Sequence, residues 1–215
     1  MRTFLHRRTR LLLLLLALPF VTASQCVVLF SSGDSDDDDK EEDRIVVATG
    51  EGSFVDAPVE GMAYRSGTVA GVTGPHGEFS YEVGAPIQFA VGDIELGVPV
   101  TGKAVISPID LVPGGNISTP AVINIARLLQ SLDAMPGDDS ITIPPTVLAT
   151  AVRSNPAVSA AIEFLDFADE TAFANSASQL LAVLTADYPF TASLVDAASA
   201  REHLLRWQAQ QPALQ

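Results

Sequence analysis

Apolar and polar residues alternate in two rhythms along this 215-residue chain, and the rhythm changes near Pro113. Before that proline, apolar positions fall in short groups separated by glycine. Glu78-Phe79-Ser80-Tyr81-Glu82-Val83 alternates strictly, which predicts a strand with Phe79, Tyr81 and Val83 on one face. Residues 59–64 and 67–72 are further short strand candidates. Residues 87–91 and 94–96 flank Gly92-Asp93, a two-residue hairpin turn. Strands this short and closely spaced predict an antiparallel meander or small β-sandwich.

Beyond Pro113 the spacing turns helical. Thr119 can cap and Pro120 can open a helix in which Val122, Ile125, Leu129 and Leu132 form one stripe, with Asn124, Arg127 and Ser131 elsewhere, ending by Pro136-Gly137. Ser140 to Ile143 is a short strand candidate, and Pro144-Pro145 opens a helix through about Val152. Asn155-Pro156 starts another, running to about Ala168. A helix over 175–188 stops at Pro189, and the last runs over about 193–208, with Ser193 and Asp196 spaced as a capping box. The expected fold class is therefore α+β: a β-module over 46–112, then a bundle of four to five short helices over 113–210.

The first 45 residues follow neither rhythm. Arg2, Arg7, Arg8 and Arg10 precede Leu11 to Leu16, Ala17, Leu18, Pro19 and Phe20, a basic segment followed by an apolar one, as in a signal segment of residues 1–23. Val21-Thr22-Ala23 suits a cut after Ala23. Two alternatives stay open. Uncut, Leu11 to Phe30 is long enough to span a bilayer; lipidated at Cys26, the chain would begin there and be tethered by acyl chains. Residues 24–45 read as an acidic tether, since 31–44 hold eight carboxylates in fourteen positions and no apolar side chain to offset the entropy of ordering.

Charge then narrows the partners. The net charge is −14, and loss of residues 1–23 removes four arginines and no acid, taking it to −18. A surface this acidic repels nucleic acid, whose binding needs Lys and Arg against phosphate. Membrane contact is expected only through the N-terminal segment or a lipidated Cys26. With Cys26 as the only cysteine, the domain has no internal disulfide and must be held by packing.

Residues 59–64 (VEGMAY) followed by 71–81 (GVTGPHGEFSY) resemble the carboxypeptidase-regulatory-like, transthyretin-like β-modules of exported bacterial proteins. The wider run through 89–97 (FAVGDIELG) and 124–133 (NIARLLQSLD), with a weaker likeness at 200–204 (AREHL), is similar to exported envelope or lipoprotein-like proteins. The resemblance implies a periplasmic, outer-membrane-tethered or extracellular location and a β-module built for display. Thr73-Gly74 stands where such modules carry Thr-Asp.

Catalytic and metal signatures are sparse. The chain lacks G-x-S-x-G, H-E-x-x-H and G-x-x-x-x-G-K-[ST], and beyond the leader only His76 and His203 offer an imidazole base. His76 sits in a Pro-His-Gly turn; His203, with Arg201 and Arg206, suits a helix C-terminus. Asp166, Asp169 and Glu170 fall at a polar helix end. No cofactor is expected; Asp133, Asp138 and Asp139 are the candidates for calcium, although Pro144 stands where a calcium loop needs a bidentate glutamate. Asn124 and Arg127 share a helix face and are the candidate polar seam, expected to face the β-module, with Arg127 paired to Asp110 or Asp133 and Asn124 on a strand edge.

The expectation is an exported, non-catalytic envelope or surface protein: a structural, adhesive or partner-binding module with a protein or cell-surface partner. The alternative is a periplasmic binding protein for a small apolar ligand, which would need a deep cavity between sheet and helices. A histidine with a carboxylate in reach would instead favour a hydrolase.

Overall fold

Phe79 and Phe89 meet edge-on with ring centroids 5.1 Å apart, and Phe54 lies 4.9 Å from Phe89. These rings join two sheets. A computed structural model describes residues 47–210, so the expected leader, the whole of the expected acidic tether and Cys26 lie outside the described residues. Phe54 and Phe79 come from a three-stranded sheet of β5 (Glu78–Glu82), β1 (Thr49–Phe54) and β8 (Val105–Ile106). Phe89 belongs to a four-stranded sheet ordered β4 (Val69–Val72), β3 (Ala63–Ser66), β6 (Pro86–Val91) and β7 (Ile94–Thr101). A third, two-stranded sheet pairs β2 (Val59–Glu60) with β9 (Ile141–Thr142). The hairpin across Gly92-Asp93 forms as the turn chemistry requires, with Gly92 at φ 58°.

The antiparallel expectation holds for the four-stranded sheet and for β1–β5, but β1–β8 and β2–β9 are parallel. Each parallel pair joins segments far apart in sequence, which local alternation does not reveal. Residues 59–64 divide into two strands because Gly61, at φ 85°, turns the chain between them. Phe79 is buried in β5, whereas Val83 lies beyond the strand end and is exposed.

Five helices follow: α1 (Pro120–Ser131), α2 (Pro145–Thr150), α3 (Pro156–Glu163), α4 (Glu170–Leu184) and α5 (Ala197–Gln210). Together with the sheets they make the fold α+β. One hydrophobic cluster runs from Phe54, Ile87 and Leu96 through Ile125 and Leu128 to Phe173 and Leu180, so sheet and helix side chains share a core.

Helix boundaries differ from the sequence expectation where carboxylates act as caps. Asp169 accepts from the Thr171 and Ala172 N–H groups and starts α4, five residues earlier than Asn175; α3 correspondingly stops at Glu163 rather than near Ala168. Asp196 accepts from the Ala198 and Ser199 N–H groups and so is itself the cap of α5, not the fourth position of a box begun by Ser193. Thr119 occupies the N-cap of α1, but its hydroxyl accepts from the Asn116 N–H instead of capping.

Candidate functional site

Helix α1 is buried on nearly every side, with Val122, Ile123, Asn124, Ile125, Ala126, Arg127, Leu128, Leu129 and Ser131 all inside. The expectation that Asn124, Arg127 and Ser131 lie off the buried stripe is therefore corrected. Ile125 and Leu129 enter the main core, while Ile123 and Ala126 pack with Ala200 of α5 in a second small cluster. A helix buried all round must satisfy each polar side chain within the protein.

Asn124 and Arg127 do this together, at exposures of 1% and 6%. Arg127 Nη1 donates to Asn124 Oδ1 at 2.9 Å and to Glu170 Oε1 at 2.7 Å, and Nε donates to the Val195 carbonyl at 2.7 Å. The guanidinium lies 5.2 Å from the Phe173 ring centroid. Asn124 Nδ2 donates to the Phe167 carbonyl at 3.0 Å, and Ser131 Oγ accepts from the Val195 N–H. The seam thus forms, but among helices: it ties α1 to the start of α4 and the segment before α5, and does not face the β-module. Neither expected partner is used. Asp110 pairs with Lys103 at 2.7 Å, and Asp133 accepts from the Met135 and Thr142 N–H groups. The far end of α1 is held by Tyr188, whose hydroxyl donates to the Leu132 carbonyl at 2.6 Å. Burial, with Asp133 nearby, pushes that phenol up to about 12.

A second polar cluster joins α1 to the β-module, and it was not legible in the sequence. Asp56 is fully buried in a two-residue turn closed by a Val55–Pro58 bridge. Its neighbour Ala57 sits at φ 90°, a region that disfavours a side chain and persists only where the surroundings enforce it. Gln130 Nε2 of α1 donates to Asp56 Oδ2 at 3.0 Å, and His203 Nδ1 of α5 lies 3.5 Å from Oδ1. Burial pushes the Asp56 carboxyl above its ordinary range, against the opposing pull of His203 and Gln130. His203 thus has a specific partner 147 positions away beyond any helix-dipole role. Among the described hydrogen bonds its side chain reaches Asp56 alone.

The remaining candidates do not converge. Asp138 accepts from the Ser140 N–H and hydroxyl, and among the described residues no group of three or more His, Cys, Asp or Glu side chains is arranged to hold a metal. The calcium reading of Asp133, Asp138 and Asp139 is thereby left without a gathered ligand set. His76 donates its backbone N–H to Glu78 Oε2 in an exposed turn. Asp166 caps the Ala168 N–H, Asp169 caps α4 and Glu170 faces Arg127, so these three carboxylates serve separate local tasks. Comparison with family models, with curated proteins and with solved structures finds no match.

Proposed function

We propose that the chain is an exported, non-catalytic envelope or surface protein whose β-module and helices act as a structural, adhesive or partner-binding module. The observation that carries this reading is the order of basic-apolar leader, acidic spacer and one packed unit, the layout of a domain held away from a membrane or released beyond it. The inward use of polar groups on α1 supports it, since Arg127, Asn124 and Ser131 hold helices together instead of facing a ligand. So does β4, which among the described residues pairs only with β3 and exposes Ala70 and Val72; open strand edges recruit partners. The apolar-ligand alternative gains no such support, because Phe54, Phe89, Ile106 and Leu128 fill the space where sheets meet helices. Mass spectrometry of the mature N-terminus from fractionated cells is the test. A cut after Ala23 or an acylated Cys26 in the envelope or medium is expected, and an intact Met1 in the cytosol would overturn export.

One observation favours a second reading, an exported hydrolase. Asp56 beside His203 Nδ1 is the arrangement that orients an imidazole as a general base. Turnover of p-nitrophenyl acetate that disappears in His203→Gln would favour it over a display role; equal background rates in both chains would remove it.

A further inference from the structure

Between residues 47 and 210 the chain carries six lysine and arginine side chains, Arg65, Lys103, Arg127, Arg153, Arg201 and Arg206, against a strongly acidic background. Lys103 and Arg127 are bound to carboxylates, and Arg201 Nε donates to the Ile117 carbonyl. Arg65 and Arg153 instead line one open groove of about 410 Å³, and among the described residues neither forms an ion pair.

The groove is built on the outer face of the four-stranded sheet. The register sets Ala63 beside Ala90 and Ala90 beside Glu95, with Arg65 beside Gln88 in the next row. Two alanines leave a shallow floor, and the longer side chains stand around it. Arg153 reaches this sheet from the loop after α2 because the β6–β7 turn locks onto that loop. The Asp93 N–H donates to the Ala151 carbonyl at 2.7 Å, and Asp93 Oδ2 accepts from the Arg153 N–H at 2.6 Å. Gly92 permits the approach, since a Cβ there would stand 2.8 Å from the Ala151 Cβ.

The lining has a definite chemical bias. Two guanidinium groups recognise a carboxylate by paired, charge-assisted hydrogen bonds. Gln88, which also lines the groove, donates its amide to the Phe89 and Leu96 carbonyls, so its oxygen keeps its acceptor capacity. Glu95 and the second Asp93 oxygen are acceptors as well. Such walls oppose a multiply charged anion and favour a single carboxylate carrying hydroxyl donors. A flat alanine floor suits a ring face, and the volume suits one or two sugar units.

The geometry points to this groove as a binding site for a carboxylate-bearing saccharide unit, held by Arg65 and Arg153 at its acid and by Gln88 and Glu95 at its hydroxyls. The site stands apart from the export reading and does not depend on it. The test is titration of the full chain with D-glucuronate, D-glucose and inorganic phosphate, followed by amide chemical shifts of residues 88–95 and 153. Saturable shifts with glucuronate, weaker with glucose by about tenfold or more, and lost by about tenfold in Arg65→Gln and in Arg153→Gln, are expected. Both arginines are exposed, so far-UV circular dichroism of the variants should match the native chain. No saturable shift, equal binding of glucose, tighter binding of phosphate, or variants that bind as the native chain does would each overturn the site.

Discussion

The two buried polar clusters on α1 are built in opposite senses. Around Arg127 a cation is buried at the helix junction, and its carboxylate partner Glu170 stays 60% exposed at the rim. Around Asp56 a carboxyl is buried completely, and its partners are an amide and an imidazole. A guanidinium has five donors and loses little when carbonyls and an aromatic face surround it. A carboxylate without a permanent cation is pressed toward its neutral form. The first cluster is thus a fixed clamp among helices, and the second a contact between helices and β-module whose strength depends on protonation.

Arg127→Ala should have the largest effect. It would leave the Val195 carbonyl and Asn124 Oδ1 without their donors and remove the contact with Phe173, lowering unfolding free energy in urea by about 3 kcal/mol. Asp56→Ala should cost about 2 kcal/mol, because it leaves the half-buried Gln130 amide without its partner and frees α5 from the Asp56 turn. Amide exchange in α5 should rise in that variant while the start of α4 stays protected, whereas Arg127→Ala should loosen the start of α4 together with the segment before α5.

A smaller effect is carried by pH. The folded Asp56 carboxyl titrates above its unfolded value, so its contribution is fully present below the ordinary carboxylate range and is lost as pH rises through the raised value. The stability difference between the native chain and Asp56→Asn, measured from pH 3 to 7, should therefore move against the native chain as pH rises; a flat difference would remove the distinction between the clusters. Glu170→Gln should change stability least, by about 0.5 kcal/mol, because the carboxylate is solvent-screened and the amide oxygen can still accept from Arg127.

Several elements were legible in the sequence because their signals are local. Phe79 in its alternating strand, the Gly92-Asp93 hairpin, Pro120 and Pro145 at helix starts, and Asn155 as a cap all stand as read. β1 was not legible, since Thr49-Gly50-Glu51-Gly52-Ser53-Phe54 looks like loop. Its glycines are strand residues because rings of β5 lie over them: a Cβ on Gly50 would stand 2.5 Å from Tyr81 Cζ, and one on Gly52 2.6 Å from Phe79 Cζ. Asp169 reads in the sequence as a polar helix end, whereas it is the N-cap of α4. Of the candidate site residues, Asn124 and Arg127 were found from their shared helix face, but their partners were not; Asp56, Gln130, Arg65 and Arg153 carried no mark.

By itself the sequence determined the α+β class, the change from strand to helix near Pro113 and the buried stripe of α1, because apolar spacing and proline act within one or two turns of chain. Only the tertiary structure decided which charges meet. Arg127 and Glu170 are 43 positions apart, Asp56 and His203 are 147 apart, and Arg153 enters the Arg65 groove through a turn on another element. Such pairings depend on how layers pack and which register the strands take, and a side chain's local spacing contains neither.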